Sequence, residues 1–283
     1  MNRTLFDRFA AVVYRQSGLV LSADKQYLVA ARLAPLAPAA GGLERLLERI
    51  CADPLGRLAT DAVEAMTTNE TMFFRDGAPF ADLAIRLPVL AAARPQGATL
   101  RLWSAAASTG QEAYSIAILA TELRAQLGGR RVEILGTDLS QAALNRAEAG
   151  QYSEFEVQRG LSPGRRDTHL RREGEGWRVS PELRAMVRFR AANLLTDLST
   201  HGRFDAVFCR NVLIYFDPPT RQRVLERILR QMEPDGVLYL GGTETLLGLT
   251  LPLRRAPGGV GFEPAPSACA PTPAPLAGVL ATG

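Results

Sequence analysis

The sequence has few of the residues from which metal sites and nucleophilic triads are built. Its 283 residues include two histidines, His169 and His201, and three cysteines, Cys51, Cys209 and Cys269. The cysteines are far apart and odd in number, so they predict neither a disulfide framework nor a zinc site. A Ser-His-Asp triad would have to use one of the two histidines, and neither has a partner at metal-ligand spacing. We therefore predict reduced thiols and no metal site.

The sequence also lacks a long apolar run and a strong excess of charge. No uninterrupted apolar stretch approaches the roughly 18 residues that span a bilayer, and the N-terminal stretch MNRTLFDRFAAVVYRQSG carries charges where a signal peptide has its apolar core. The net charge of +4 is mild, and Lys25 is the only lysine. We expect a cytoplasmic protein that neither inserts into a membrane nor binds nucleic acid, although the charge would suit an acidic protein partner.

Two kinds of hydrophobic pattern divide the chain. Up to about residue 66 the apolar residues recur at helical spacing, as in LERLLERICADPLGRLATDAVEAM. From about residue 99 onward, short apolar runs such as TLRLWSAA, VEILGTD and FDAVFCRN alternate with helical patterns such as EAYSIAILATELRAQL. This alternation predicts βαβ units and a parallel sheet that is covered on both faces.

Two further segments depart from these patterns. Residues 151–185 are charged, arginine-rich and poorly periodic, which indicates an inserted subdomain. Residues 263–283 are rich in proline and alanine and predict a flexible tail. We therefore predict a helical domain over residues 1–66, a linker over residues 67–90 and an α/β domain over residues 91–262 that carries the insertion.

The ends of the first two predicted strands indicate a ligand site, because open α/β sheets bind ligands beyond the carboxyl ends of their strands. Gly110 follows the first strand and would let the backbone approach a ligand, but no G-x-G-x-x-G pattern accompanies it. Asp138 ends the second strand, where a carboxylate can accept both hydroxyls of a ribose. Alternatively, Asp138 or Ser140 caps the next helix. Together, Gly110 and Asp138 favour a nucleoside without a pyrophosphate, and S-adenosylmethionine is the obvious candidate.

The stretch FCRNVLIYFDPPT at the end of a later strand contains Asp-Pro-Pro, which some base-modifying methyltransferases follow with an aromatic residue. Thr220 stands in the place of that aromatic residue. Asp217 as the N-cap of a helix and Pro218 as its first residue explain the motif fully. The letters RN and IYF remain as a polar and aromatic cluster beside the predicted site.

The stretch TTNETMFFRD at residues 67–76 has two interpretations. Thr67 and Glu70 have the spacing of a capping box with an apolar run behind them, which predicts the start of a helix. In the other interpretation, Asn69, Thr71 and Arg75 point into a site. The local pattern alone does not decide between them.

Five motifs follow one another along the chain: TTNETMFFRD, WSAAASTGQEAYSIA, GTDLS, FDAVFCRNVLIYF and PDGVLYLGGTE. This set closely resembles the CheR family of chemotaxis receptor methyltransferases, from the N-terminal helices to about residue 262. The resemblance implies an α/β fold: a Rossmann-like S-adenosylmethionine-dependent methyltransferase sheet with a small inserted β subdomain, preceded by an all-α N-terminal domain. It also implies a monomeric protein-glutamate O-methyltransferase that methylates the cytoplasmic helical bundle of chemoreceptors and releases S-adenosylhomocysteine.

The same resemblance implies a set of site residues, to which the linker contributes. The cofactor would contact Asn69, Thr71, Arg75, Glu112, Asp138, Asn193, Leu194, Arg210 and Asn211. Arg75 and Tyr215 would lie beside the transferring methyl group. Two other functions stay open: a cofactor-sensing module without turnover, and a methyltransferase that acts on small molecules or nucleic acid.

Overall fold

The computed structural model describes residues 2–265, and its first part is helical. Between residues 2 and 66 the helices are α1 (Arg3–Ser17), α2 (Gln26–Leu33), α3 (Ala37–Ala40), α4 (Leu43–Ala52) and α5 (Arg57–Ala65). Their apolar faces enclose one core, in which Phe6, Phe9 and Leu47 are buried. No helix within residues 2–265 is long and apolar enough to cross a membrane.

Strands and helices alternate in the remainder of the described chain. The strands are β1 (Leu100–Ala105), β2 (Val132–Asp138), β3 (Gln151–Ser153), β4 (Leu170–Glu173), β5 (Gly176–Val179), β6 (Val187–Ala191), β7 (Phe204–Cys209), β8 (Met232–Leu240), β9 (Leu253–Arg255) and β10 (Phe262–Pro264). The helices are α6 (Ala78–Ala93), α7 (Gln111–Glu122), α8 (Gln141–Ala149), α9 (Glu154–Gln158), α10 (Pro163–His169), α11 (Pro181–Met186) and α12 (Pro218–Arg230).

Within residues 2–265, seven strands form the main sheet in the order β6-β2-β1-β7-β8-β10-β9. The first five are parallel, and β10 runs antiparallel to both β8 and β9. Because successive side chains of a strand point to opposite faces, Leu102 of β1 packs in one core with Ile116 of α7, while Trp103 packs in the other with Val224 of α12. The predicted fold class is confirmed.

Residues 151–185 contain a separate antiparallel sheet in the order β3-β5-β4. Its Trp177 is buried and donates a hydrogen bond to Glu154 at 2.7 Å. Strand β6 follows directly and belongs to the main sheet. Periodicity did not reveal this strand, because Arg188 and Arg190 occupy alternate positions of a short segment and leave no continuous apolar run.

The capping box at Thr67 and Glu70 is wrong, because no helix begins between residues 67 and 77. The Arg32 guanidinium instead donates to the backbone carbonyls of Met66 at 2.5 Å and Thr67 at 2.7 Å, which holds the segment out of helical geometry. Helix α6 starts only at Ala78. The polar half of TTNETMFFRD is therefore an irregular segment whose side chains remain available to a site.

The predicted tail begins inside a strand. Glu263 and Pro264 belong to β10, and Glu263 accepts a hydrogen bond from Arg86 at 2.7 Å. This ion pair attaches the end of the sheet to α6, which a proline- and alanine-rich composition does not reveal. The part of the predicted tail from residue 266 to residue 283 lies outside the described residues.

Candidate active site

A cavity opens at the carboxyl ends of β1, β2 and β7, where parallel strands of an open sheet present their ligand site. All ten residues implied by the resemblance line it: Asn69, Thr71, Arg75, Glu112, Asp138, Asn193, Leu194, Arg210, Asn211 and Tyr215. Ser17 and Leu19 of the N-terminal part line it as well. Sequence reasoning missed these two, because their pattern is that of an ordinary helix end.

The turn after β1 forms one wall of the cavity. Ala106 and Ser108 have positive φ angles of 62° and 53°, a conformation that is costly for residues other than glycine. The Ser108 amide donates to the Asp138 carboxylate at 2.8 Å, which fixes the turn against β2. The Ser108 hydroxyl is buried and has no hydrogen-bond partner among the described residues. A bound polar ligand would satisfy it.

Gly110 serves a different purpose from the one predicted. It does not line the cavity. Its φ of +96° is unfavourable for other residues, and a Cβ at this position would lie 2.8 Å from the Cβ of Ala147 in α8 and 3.1 Å from the Phe189 ring. Glycine is therefore required for the close approach of α7 and α8, and not for the approach of a ligand.

Asp138 ends β2 with its carboxylate buried at the cavity wall. Its oxygens accept hydrogen bonds from the amides of Ser108 at 2.8 Å and Ser140 at 2.9 Å. Burial raises the pKa of the Asp138 carboxyl, and these backbone donors oppose the shift. Since a carboxylate offers about four lone-pair sites, capacity remains for two ribose hydroxyls, and the residue fits an adenosyl group.

The capping alternative is resolved in favour of Ser140. The Ser140 hydroxyl accepts a hydrogen bond from the Ala143 amide at 3.1 Å and is the N-cap of α8. Glu64 of α5 accepts from the Ser140 hydroxyl at 2.9 Å and from the Ala142 amide at 2.8 Å. A carboxylate of the N-terminal helices thus fixes the helix that follows Asp138.

Arg210 and Glu112 form a buried ion pair beneath the cavity. Arg210 donates to Glu112 at 2.9 Å, to Asp76 at 2.6 Å and to the carbonyl of Arg75 at 2.8 Å. The exposed fraction of the Arg210 side chain is 1 % and that of Glu112 is 10 %. Burial raises the pKa of Glu112, and Arg210 and Ser104 oppose that shift. This pair joins the end of β7 to the start of α7 and to the linker.

The two halves of TTNETMFFRD have separate roles. Phe73 is buried and packs edge-on against Tyr152, with ring centroids 5.1 Å apart. The Arg75 guanidinium donates to the carbonyl of Glu70 at 3.0 Å and lines the cavity, while the Arg75 carbonyl is held by Arg210. The apolar half therefore anchors the segment, and the anchored segment brings Arg75 to the cavity.

Asn193 lies at the cavity, but its side-chain hydrogen bonds are within the protein. Its amide donates to the carbonyl of Gln16 at 2.6 Å, and its oxygen accepts from the amide of Leu195 at 3.0 Å. These bonds attach the segment after β6 to α1. Its contact with a ligand would therefore use the remaining surface of the side chain.

Sequence reasoning also missed Glu244, which does not line the cavity but supports residues that do. Its carboxylate accepts four backbone hydrogen bonds, from Gly241 at 2.6 Å, Asn211 at 3.0 Å, Val212 at 2.9 Å and Leu213 at 2.7 Å. Asn211 has a positive φ of 58°. Glu244 thus holds a strained turn that carries site residues at both ends. Its only signal was its place in the motif PDGVLYLGGTE, which assigned it no role.

Comparison with known proteins agrees with this geometry. The family model described as "CheR methyltransferase, SAM binding domain" matches residues 69–259. Chemotaxis protein methyltransferase Cher2 of Pseudomonas putida is 42 % identical over 86 % of this chain and 91 % of its own. Chemotaxis protein methyltransferase 1 of Pseudomonas aeruginosa is 43 % identical over the same shares.

Among solved structures, PKMT2 from Rickettsia typhi shares 14 % identity over 61 % of this chain and 26 % of its own, with a TM-score of 0.37. The family match covers more than half of the chain and includes β1, β2 and β7, whose ends form the cavity. The protein belongs to the CheR methyltransferase family, and its cofactor is S-adenosylmethionine.

Proposed function

We propose that this protein transfers a methyl group from S-adenosylmethionine to glutamate carboxylates on the cytoplasmic helical bundle of chemoreceptors. The products are glutamate methyl esters and S-adenosylhomocysteine. The observation that carries the proposal is the meeting of Arg75, Asp138 and Tyr215 around one cavity in a chain of the CheR family. We further propose that the enzyme works as a cytoplasmic monomer and does not bind nucleic acid.

We also propose that residues 1–66 act as a separate helical domain and that the linker over residues 67–90 contributes to the cofactor site. In support, the helices between residues 2 and 66 enclose a core of their own, and Arg75 lines the cavity. Asp138 is proposed to bind the ribose. The residues proposed to hold the cofactor are Asn69, Thr71, Arg75, Glu112, Asp138, Asn193, Leu194, Arg210 and Asn211.

The chemistry needs little machinery from the protein. The bound cofactor supplies a methyl group on a sulfonium, and displacement by a carboxylate oxygen leaves a neutral thioether. A substrate glutamate with an ordinary pKa of about 4.3 is already ionised at neutral pH, so no general base is required. The protein must place that carboxylate in line with the methyl group, at roughly 3 to 3.5 Å. Because opposite charges cancel during transfer, exclusion of water favours the reaction.

Arg75 and Tyr215 are proposed to position the reacting groups. The Arg75 guanidinium can hold a carboxylate with two parallel donors. Tyr215 ends the short turn Leu213–Tyr215, and its carbonyl accepts a hydrogen bond from the amide of Val20 at 3.0 Å. Both residues are half-buried. They can therefore contact the cofactor cavity and an incoming side chain at once.

The proposed function is tested by methyl incorporation from labelled S-adenosylmethionine into a receptor cytoplasmic fragment. We expect base-labile label on glutamate, and we expect Arg75→Ala to lower kcat by about 100-fold or more, because the carboxylate loses its positioning donors. The matched control is Arg254→Ala, which removes an exposed arginine of β9. Absence of label despite tight binding of S-adenosylhomocysteine would contradict turnover and indicate a sensing module.

Replacing Glu244 with glutamine should lower kcat by about tenfold. The amide keeps the size of the side chain, but it has one acceptor oxygen for four backbone donors, so the turn from Asn211 to Tyr215 loosens. Steady-state kinetics would measure this, and Glu226→Gln on α12 is the matched control. A kcat equal to that of the unaltered enzyme would show that the turn does not depend on Glu244.

Cofactor binding should weaken as the pH falls. Ionised Asp138 accepts hydroxyl donors best, and burial has raised the pKa of its carboxyl above the ordinary value. Protonation therefore starts at a higher pH than for an ordinary aspartate near ~3.9. Calorimetry with S-adenosylhomocysteine at decreasing pH should show a loss of affinity that Asp138→Asn largely removes. An identical pH profile in Asp138→Asn would assign the titration to Glu112, whose pKa burial also raises.

A further inference from the structure

The main sheet has a second cleft, at the edge formed by β6. The segment between β6 and β7 contains only a short turn of 3-10 helix, Ser199–His201. A cleft of about 560 Å³ follows this edge and the amino ends of β1, β2 and β7, and residues from both faces of the sheet line it. Its lining shares no residue with the cofactor cavity and contains two glutamates and six arginines. The arginines of this basic cleft are Arg101, Arg124, Arg130, Arg131, Arg188 and Arg190.

Strand β6 directs two of these arginines into the cleft. Val187 and Phe189 pack on the side of α7, so the alternating Arg188 and Arg190 project from the opposite face. They are exposed, and their register partners on β2 are Leu135 and Thr137. Charged residues on an edge strand also prevent pairing between sheets. That role does not account for the arginines that the ends of β1 and α7 add to the same cleft.

Much of this positive charge is unpaired. Within residues 2–265, the guanidinium groups of Arg124, Arg188 and Arg190 have no hydrogen-bond or ion-pair partner. The two glutamates of the lining, Glu133 and Glu182, leave a clear excess of positive charge. Low-dielectric walls and charge of one sign focus the field in a cleft and attract anions.

The imidazole of His201 is buried beside this cleft and also favours an anionic ligand. The residue is 8 % exposed, its ring lies 6.0 Å from that of Trp103, and its Nδ1 has no hydrogen-bond partner among the described residues. Burial lowers the pKa of the His201 imidazole, as do Arg190 and Arg101, while Asp197 opposes the shift. A bound anion would offset this repulsion.

We propose that the basic cleft binds a small anion that carries two or more phosphate groups. The guanidinium group matches a phosphate with paired donors, and arginine, which supplies all the positive charge of this lining, suits phosphate better than a compact ammonium would. The volume lies in the range of small-molecule sites, roughly 300 to 1,000 Å³. Arg188 and Arg190 lie two residues apart on the same face of β6 and are both unpaired, so together they can engage more than one phosphate.

The two histidines of the chain provide the readout. Proton NMR of the protein without a histidine tag, saturated with S-adenosylhomocysteine to block the cofactor cavity, would be recorded while pyrophosphate or ATP is added. His201 is assigned with His201→Gln. We expect a saturable shift of its signal and a rise of its pKa, with His169 unchanged. Tighter binding of ATP would indicate a nucleotide, and tighter binding of pyrophosphate would indicate a simpler polyphosphate.

Variants test whether the cleft is responsible. Arg188→Gln with Arg190→Gln should weaken pyrophosphate binding by about tenfold or more. The matched control is Arg45→Gln with Arg49→Gln, which removes two exposed arginines of α4. Unchanged affinity for S-adenosylhomocysteine would verify that both proteins are folded. No saturable shift at about 10 mM ligand, or equal weakening in the control, would overturn the proposal. A glutamate-rich peptide that binds more tightly than either phosphate compound would also overturn it.

Discussion

Replacing Asp138 with alanine should weaken the binding of S-adenosylhomocysteine by about 100-fold or more. In the proposed cofactor site the carboxylate accepts two ribose hydroxyls, and each hydrogen bond to a charged group contributes about 1.5 to 3 kcal/mol. Asp138→Asn, which keeps one acceptor oxygen, should lose less. Isothermal titration calorimetry with the purified protein measures both variants.

The control for the Asp138→Ala variant is Ser140→Ala, a substitution two residues away. Ser140→Ala removes the N-cap of α8 and should lower the free energy of unfolding by about 1 kcal/mol, but it leaves the Asp138 carboxylate in place. We therefore expect nearly unchanged affinity for S-adenosylhomocysteine. If Asp138→Ala bound within about threefold of the unaltered protein, or if Ser140→Ala lost as much, the ribose assignment would be wrong.

Replacing Arg210 with methionine should lower the free energy of unfolding by about 3 to 5 kcal/mol. The variant leaves the buried Glu112 carboxylate without its charged partner, and an uncompensated buried charge is costly. The melting temperature should fall by at least about 6 °C. Differential scanning calorimetry measures it, and loss of cofactor binding should accompany the change, because Arg210 also holds the backbone of Arg75.

Two further variants distinguish the effect of breaking the buried Arg210–Glu112 pair from the effect of removing any arginine. Arg159→Ala breaks the pair between Arg159 and Glu70, in which the side chains are 41 % and 61 % exposed, and should cost at most about 1 kcal/mol. Adding Glu112→Gln to Arg210→Met removes the unpaired charge and should restore part of the lost stability. If the double variant were less stable than Arg210→Met, the cost would come from packing around Arg210 and not from the buried carboxylate.

Local patterns in the sequence predicted the central strands of the sheet and the place of its site. Runs such as VEILGTD are rich in apolar residues because both faces of their strands are covered, and that pattern is local. Asp138 could be placed at a strand end for the same reason. The roles of Arg75 and Tyr215 came from resemblance to the CheR family, and the structure brings both to the cavity with Asp138. Their roles in the reaction stay predictions.

Features that depend on distant parts of the chain became evident only in the folded protein. Thr67 and Glu70 have the local spacing of a capping box, yet Arg32 holds that segment out of a helix. Glu244 binds the backbone of a turn about thirty residues away. Strand β6 carries alternate arginines, and it is a strand because its backbone pairs with β2, which its own residues do not reveal. Periodicity reports which faces are buried, whereas a hydrogen bond between remote segments leaves no periodic trace in either one.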